Sequence, residues 1–443
     1  MKQSADKAVT GPSTLGVMRR AGVWGCVSGA CIIVAACSPS SSATSATVVA
    51  ESSPVETTEV VDGDGATDDG RLVIGILLPS SGPGVEIGTS MRGAAELAID
   101  QINRAGGVNG GPVRTEVADE GDTAVNAARS VAQLLERDVD AIIGPASSVI
   151  ATTTLPLTTE AGVLTCSPSA SALALADYPD RGLFIRTLPT DALQAAAMAN
   201  QMEATGYRTA SIMFIDDSYG RDFAEVLYDE LTAKTIVVDQ LVAFEPSDED
   251  YLDEAEPVVE AEVIAVIGDN DAGVRMVDAL FEAGDDRTEI VVNDAMRVPS
   301  TSRAYRGLSD IDRQHLRGVS PRSQVSGATF KADFMAVFPD SRGLFAINAY
   351  DCVNVIALAA NIAGTTDALQ LAQHFADVTT DGTSCAAFAV CDMLRVNQRD
   401  INYDGPSGQL ELGVDGDPVF ATFDLFGYDP AGNDVSIGEV SSR

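Results

Sequence analysis

Apolar and polar stretches alternate along the chain from residue 71 onward, and their lengths predict alternating strands and helices. Residues 72–78 form a continuous apolar run, which is typical of a parallel strand buried on both faces. A glycine-rich polar turn, a long amphipathic helix, a Gly-Gly turn and a second strand follow it. The next segment, 122–137, predicts a helix whose inward face consists of Val125, Ala128, Val131 and Leu135.

The alternation continues and restarts near residue 190, which predicts two lobes. The predicted strands are 139–143, 163–166, 211–215, 235–242, 262–267 and 289–293. The predicted helices are 148–161, 191–204, 219–233 and 271–283, with further helices from 329 to about 396 and two short strands near 409–412 and 419–428. Because βα units build parallel sheets, the fold class is α/β, with a mainly parallel sheet flanked by helices in each lobe. The closing strands imply that the chain crosses between the lobes more than once.

The N-terminal segment indicates export. Arg19 and Arg20 precede an apolar run, 21–36, that is shorter than the roughly 20 residues of a membrane-spanning helix. The run ends in Val-Ala-Ala-Cys37, which resembles the lipobox of bacterial lipoproteins, where the cysteine carries the lipid. We therefore expect a signal peptide over 1–36, starting at Met1 or Met18, and a lipid at Cys37. An ordinary secretory signal is the alternative.

Composition and charge add two expectations. Residues 37–70 are almost all Ser, Thr, Ala, Val, Gly, Asp and Glu, which predicts a disordered acidic linker between the anchor and the folded body. The formal net charge of −37 argues against nucleic acid or an anionic membrane surface as a partner.

Cysteine usage agrees with an oxidising compartment. Cys385 and Cys391 are close in sequence and could form a small-loop disulfide, with two buried thiols as the alternative. Cys166 and Cys352 also belong to the folded body. With two histidines and no Cys-x-x-Cys pair, we expect no metal site.

Serines follow two strands of the first predicted unit, at the edge where open α/β sheets bind ligands. Ser147 and Ser148 follow the strand at 139–143, and Ser169 and Ser171 follow the next strand. Helix N-termini offer unpaired N–H groups and a partial positive charge, so two of them converging here would suit a carboxylate. The alternative is that each serine only caps a helix.

The second unit places acidic and polar groups at the corresponding strand ends. Tyr219 follows Asp216 and Asp217, while Asp269 and Asn270 follow one strand and Asp294 another. A carboxylate there could bind an ammonium group, and Tyr219 could cover a ligand side chain. The alternative is that the aspartates are turn and cap residues.

No Gly-x-Ser-x-Gly, Gly-x-x-x-x-Gly-Lys or His-Glu-x-x-His motif occurs, so we expect a binding protein without a cofactor, not an enzyme. A secreted hydrolase with an unrecognised site is the rival class.

Several motifs together resemble the branched-chain amino-acid-binding family of ABC-transporter solute receptors, which have the type I periplasmic binding fold. The motifs, in chain order, are SGPG at 81–84, DQINRAGGVNG at 100–110, IIGPASS at 142–148, CSPSAS at 166–171, DDSYGRDFA at 216–224 and AYDCVNVIALA at 349–359. The resemblance covers about residues 72–428.

The resemblance implies roles for individual residues. Ser148 and Ser171 would bind the ligand's α-carboxylate together with the backbone of Ser169, Tyr219 would lie beside the ligand, and Asp294 would receive its α-ammonium group. Two departures leave side-chain specificity open. Ile87 stands where leucine-type receptors have a tryptophan, and Asp269 or Asn270 where they have a tyrosine. The cysteine pair of those receptors in the first lobe is absent, with Ser147 at one of its positions.

The resemblance also implies an organisation and a function. We expect lobe 1 to contain 71–189 and 320–408, lobe 2 to contain 190–319 and 409–443, and hinges near 188–189, 318–321 and 405–413. The expected protein is a monomeric lipoprotein, lipid-anchored at the outer face of the cytoplasmic membrane. It would capture an amino acid or analogue by hinge closure and deliver it to an ABC permease. The alternative function is a ligand-sensing receptor of the same fold for amides, urea or aromatic acids.

Overall fold

Five parallel strands form the first sheet. The computed structural model describes residues 70–269, 271–285, 287–297, 304–322, 328–339, 341 and 343–443, all within one unit, Val61–Arg443. The sheet order is β2-β1-β3-β4-β5. Its strands are β1 (Val73–Leu78), β2 (Arg114–Asp119), β3 (Ala141–Ile143), β4 (Leu164–Ser167) and β5 (Phe184–Arg186), connected by the helices α1 (Val85–Ala105), α2 (Ala124–Leu135) and α3 (Ser148–Glu160).

The second sheet has seven strands in the order β14-β13-β10-β9-β8-β6-β7. Five of them are parallel: β6 (Thr209–Ile215), β7 (Val237–Phe244), β8 (Val263–Ile267), β9 (Ile290–Val292) and β10 (Leu316–Pro321). The other two, β13 (Thr422–Tyr428) and β14 (Asp434–Ser441), extend the sheet in antiparallel fashion. The helices of this part are α4 (Asp191–Thr205), α5 (Ser218–Ala233), α6 (Leu252–Ala255), α7 (Ala272–Ala283) and α8 (Asp310–His315).

The chain then returns to the first core. Its elements there are α9 (Ala328–Val337), α10 (Ala346–Ala363), α11 (Ala368–Ala372), α12 (Phe375–Thr379), β11 (Thr383–Cys385), α13 (Phe388–Val396) and β12 (Ile401–Tyr403). In the described part, α10 alone is long and apolar enough to span a membrane by composition, but 83% of it is buried against the first sheet and its helices. It is the central core helix of this half.

The chain passes between the two sheets three times. It leaves β5 for α4, leaves β10 for α9, and leaves β12 for β13. Leu410 and Leu412 still pack in the first core, so the third passage begins later than residue 409, where the sequence placed the second lobe. Two mainly parallel sheets flanked by helices confirm the predicted fold class.

Local chemistry explains most element boundaries, and tertiary pairing explains the differences. Thr123 caps α2 by accepting the Asn126 N–H, so the helix starts at Ala124, two residues after the predicted start. Its inward face is rotated from the predicted one: Ala127, Val131 and Leu134 are buried, while Val125 is 61% exposed. The predicted strand at 409–412 is wrong, because that segment forms one isolated bridge, Leu412 to Pro418.

Two disulfides tie the first half together. Cys385 and Cys391 are bonded to each other, between β11 and α13. Cys166 in β4 is bonded to Cys352 in α10, which closes a loop of 186 residues. The sequence offered no pairing for these two cysteines, since nothing local connects residues so far apart.

Candidate functional site

The candidate site lies at the carboxyl edges of the two sheets, where loops follow parallel strands. The first of these loops connects β3 to α3. Ser147 is its helix cap, because its hydroxyl accepts the Ile150 N–H at 3.4 Å. Ser148 is therefore not needed for capping. Its hydroxyl oxygen instead accepts the Ala172 N–H at 3.3 Å, which links this loop to the loop after β4.

The loop after β4 is held by its own serines. The Ser167 hydroxyl donates to the Pro145 carbonyl at 2.7 Å and accepts the Ala170 N–H at 2.9 Å. The Ser169 hydroxyl donates to the Ala146 carbonyl at 2.9 Å. The Ser169 N–H donates to the Ser167 hydroxyl at 3.4 Å, so both the hydroxyl and the N–H of Ser169 are engaged within the loop, and a ligand contact of its backbone would compete with this long hydrogen bond.

Arg186 supports the same loop from below. Its fully buried guanidinium donates through Nη1 to the Ala172 carbonyl at 2.9 Å and the Ala170 carbonyl at 3.3 Å. Its Nε and Nη2 bind the two carboxylate oxygens of Asp417 at 2.6 and 2.5 Å. The segment that presents Ser171 is thus fixed to the start of the third passage between the sheets.

Ser171 meets an acidic residue that follows the first passage. Asp191, the first residue of α4, donates its N–H to the Ser171 carbonyl at 3.0 Å, and the Ser171 side chain lowers the pKa of the Asp191 carboxylate. Asp191 is 3% exposed, and its Oδ1 has no hydrogen-bond partner in the described part of the chain. Donors for a carboxylate and an unused acceptor for a cation therefore lie side by side.

Asp294 and Tyr219 complete this acidic region. Burial, together with the charge of Asp294, raises the pKa of Asp191 to about 7 against the lowering effect of Ser171 and Arg186. Burial also raises the pKa of Asp294, although a hydrogen bond with Gln194 opposes it. The pKa of Tyr219 is raised by burial and by both aspartates. A ligand ammonium group would relieve the repulsion between the two carboxylates.

The remaining predicted site residues make none of the contacts described above. The Asp269 carboxylate is exposed and accepts the N–H groups of Asp271 and Ala272 at 3.1 and 2.8 Å, so it caps the start of α7. Asn270 and Cys37 lie outside the described residues. Ile87, in the first turn of α1, is half-buried and packs against the first core. Asn293, which the prediction did not rank, donates to the Tyr219 hydroxyl at 2.9 Å and orients it.

Sequence reasoning missed Asp191 and Arg186. Asp191 has the local signature of an acidic first-turn residue after the Thr190 cap, which hides its second role. Arg186 had a detectable signal, since an arginine inside the apolar strand Phe184–Arg186 needs a buried partner. Across the described residues, no group of three His, Cys, Asp or Glu side chains is placed to hold a metal ion.

Comparisons with known proteins agree with this architecture. The family model described as periplasmic binding protein matches residues 71–399. A chemotactic signal transduction system substrate-binding protein of Halobacterium salinarum is 28% identical over 369 residues, covering 79% of this chain and 85% of that protein. A leucine-, isoleucine-, valine-, threonine- and alanine-binding protein of Pseudomonas aeruginosa is 25% identical over 320 residues, covering 68% and 81%.

A solved structure shares the fold. The branched-chain amino acid transporter substrate-binding protein of Streptococcus pneumoniae, in complex with isoleucine, is similar with a TM-score of 0.64 at 20% identity. The similarity covers 84% of this chain and 99% of that one.

Proposed function

This chain belongs to the periplasmic binding protein family, and on that premise we propose that it is the solute-binding component of an ABC importer that captures an amino acid or a close analogue. Members of the family are solute-binding proteins that work outside the cytoplasm, and the Pseudomonas relative is named for aliphatic amino acids. Leucine is therefore the probe that we would test first.

One observation carries the proposal: a buried acceptor without a partner lies beside a set of unused donors. Asp191 Oδ1 has no partner within the described residues, and Asp294 acts on the same carboxylate. The backbone N–H groups of Ser148 and Ser171 have no hydrogen bond within the described part either. The α-carboxylate of an amino acid would accept hydrogen bonds from these N–H groups, and its α-ammonium group would donate to the Asp191 carboxylate.

The proposed roles follow from this pairing. The Ser148 and Ser171 N–H groups and hydroxyls bind the α-carboxylate, with the backbone of Ser169 alongside. Asp294 and Asp191 receive the α-ammonium group, and Tyr219 lies against the ligand. Ile87, Asp269 and Asn270 belong to the part of the cleft that selects the ligand side chain.

Capture works by closure of two lobes around the ligand. The lobes comprise 71–189 with 322–412 and 190–321 with 413–443, and the three passages serve as hinges. Ligand groups that bridge both lobes bind the closed form better than the open form, so they shift the equilibrium toward closure. The closed monomer then docks on a membrane permease. Cys37 carries the lipid that keeps the protein at the outer face of the cytoplasmic membrane.

Calorimetry with two ligands tests the site. We expect Asp294→Asn to weaken l-leucine binding at least tenfold, since an ion pair with a buried group is lost. It should affect 4-methylpentanoate, which lacks the ammonium group, much less. Asp367→Asn, which removes the charge of the α11 helix cap but keeps a capping oxygen, is the matched control and should bind both ligands normally. Equal losses for both ligands in Asp294→Asn would remove the ammonium role.

The Halobacterium relative favours a second candidate function, because it is named for chemotactic signalling. The same capture and closure would then report the solute to a receptor instead of a permease. A deletion strain separates the two: loss of labelled amino-acid uptake indicates transport, and loss of chemotaxis with intact uptake indicates sensing. Cys37→Ala should release the protein from the membrane fraction in both cases, and light scattering should give a monomer mass.

A further inference from the structure

Glu120, directly after β2, is a buried carboxylate that lies behind the proposed ligand-binding loop. Its side chain belongs to a residue that is 1% exposed. Oε2 accepts the Ala146 N–H at 2.8 Å, and Oε1 accepts the Ser147 N–H at 2.9 Å. The Glu120 N–H itself donates to the Leu78 carbonyl of β1 at 3.2 Å. Both carboxylate oxygens are therefore committed to the loop between β3 and α3.

These bonds decide which backbone donors of the loop remain free. Glu120 occupies the N–H groups of Ala146 and Ser147, and the Ser147 hydroxyl occupies that of Ile150. Within the described residues, the N–H groups of Ser148 and Val149 have no hydrogen-bond partner. The two unused donors are thus the ones next to the Ser148 hydroxyl, at the start of α3.

The loop is held from its other side as well. The carbonyls of Pro145 and Ala146 accept the hydroxyls of Ser167 and Ser169 from the loop after β4. Glu120 therefore supplies the acceptors and these serines supply the donors that fix the loop between them. Losing the acceptors would leave the N–H groups of the half-buried residues Ala146 and Ser147 unpaired, which is costly.

The charged form of Glu120 is destabilised by its burial. Burial, together with the charge of Asp119, raises the pKa of Glu120 to about 7 against the lowering effect of the two backbone hydrogen bonds. Among the described side chains no Arg, Lys or His forms an ion pair with Glu120, whereas Arg186 is paired with Asp417. Buried charges without a cation are poor stabilising elements, and they concentrate at functional sites.

We propose that Glu120 is the positioning residue of the carboxylate-binding loop: it occupies the Ala146 and Ser147 N–H groups, so that those of Ser148 and Val149 are presented to an anionic ligand group. The inference rests on the proposed function, since it assigns how the carboxylate end of that site is built. Glu120 acts through the loop and does not touch the ligand.

The isosteric variant Glu120→Gln reduces the number of acceptor oxygens at this position without changing the shape of the side chain. A glutamine amide keeps one oxygen acceptor, but its NH₂ group faces one of the two backbone N–H donors. One loop hydrogen bond is therefore lost without a change in volume. Glu120→Asp keeps the charge and loses one methylene of reach, and it serves as the second variant if the first folds poorly.

The first measurement needs no ligand. Hydrogen exchange of the full protein, read on peptides covering 144–150, should show faster exchange in Glu120→Gln and Glu120→Asp than in the wild type. Asp140→Asn is the matched control, because Asp140 is 4% exposed and accepts the Val73 N–H at 2.7 Å at the opposite edge of the same sheet. It should leave exchange at 144–150 unchanged. Unchanged exchange in both Glu120 variants would overturn the proposal.

The second measurement uses calorimetry with l-leucine and 4-methylpentanoate. In Glu120→Gln, one hydrogen bond between residue 120 and the loop N–H groups is lost, so the loop is held less firmly in its binding geometry. We expect binding of both ligands to weaken about tenfold, by the same factor for each, since both carry the carboxylate. Asp140→Asn should bind as the wild type does. If only leucine binding fell, Glu120 would not act at the carboxylate end. If the wild type bound neither ligand, the proposed function would fail, and the exchange result would still decide the role of Glu120 in the loop.

Discussion

Replacing Cys166 and Cys352 together by alanine should lower the free energy of unfolding more than replacing Cys385 and Cys391. The first pair bonds β4 to α10, and the second bonds β11 to α13. All four cysteines are at most 4% exposed, so the loss of packed sulfur is similar for the two pairs. What differs is the length of chain that each bond closes.

The magnitude follows from the sequence separations of 186 and 6 residues. In the chain-entropy model, a bond restricts the unfolded chain more when the loop it closes is longer, by about 5 kcal/mol for the long loop and about 2 kcal/mol for the short one. The long loop includes β5 to β10, and so most of the second sheet. The expected difference between the two double variants is therefore about 3 kcal/mol.

Guanidinium unfolding followed by far-UV circular dichroism measures both losses, with each protein produced through an exporting host so that the bonds form. Thiol titration of the denatured proteins checks that the intended pair is missing and the other is intact. Equal losses, or a larger loss for Cys385→Ala/Cys391→Ala, would refute the argument from loop length. An unchanged denaturant slope would show that the comparison is made between similar unfolded states.

Two further predictions concern buried charges. Arg186→Met should lower the free energy of unfolding by about 3–5 kcal/mol, because Asp417 keeps a buried charge without its partner; Arg186→Met/Asp417→Leu should recover part of it in the same denaturation assay, and a double variant no better than the single one would contradict this. Burial raises the pKa of Asp351 in α10 to about 7 from 3.8, so the folded protein binds this proton more tightly than the unfolded chain. The contribution of Asp351 to the free energy of unfolding is fully present below pH 4. It decreases as the pH rises and is lost above pH 7, at up to about 1.4 kcal/mol per pH unit. Asp351→Asn should therefore flatten the rise in stability between pH 8 and pH 5, and an unchanged slope would count against the shift.

The positions of many candidate-site residues could be predicted because they depend on the local sequence pattern at the ends of strands. The apolar run of β1 and the short strands before Ser148 and Ser171 place polar loops at strand ends, and parallel strands bring such ends to one edge. The same reasoning placed Tyr219 and Asp294 after strands of the second sheet. Their partnerships needed the structure: Asn293 orients Tyr219, and Gln194 reaches Asp294 from α4.

The errors have physical causes as well. The inward face of α2 was rotated because its alanines fit on either side, and packing against the first sheet buried Ala127 instead of Val125. The short segment at 409–412 has strand composition, but it forms a single bridge, from Leu412 to Pro418, and pairs with neither sheet. Asp269 is not among these errors: its hydrogen bonds to Asp271 and Ala272 give it the cap role that the sequence left open as the alternative, and its contact with a ligand stays a prediction.

The sequence by itself determined the alternation of elements and the edge of each sheet where polar groups gather, and the export signal at the N-terminus stays a prediction from it. These depend on periodicity and on residues close together in the chain. The tertiary structure decided that Cys166 pairs with Cys352, that Arg186 binds Asp417, and that Glu120 holds the loop before Ser148. Each of these joins groups 27 to 231 residues apart. Such pairs are selected by burial and by which partner lies within hydrogen-bonding reach, and no local pattern encodes either.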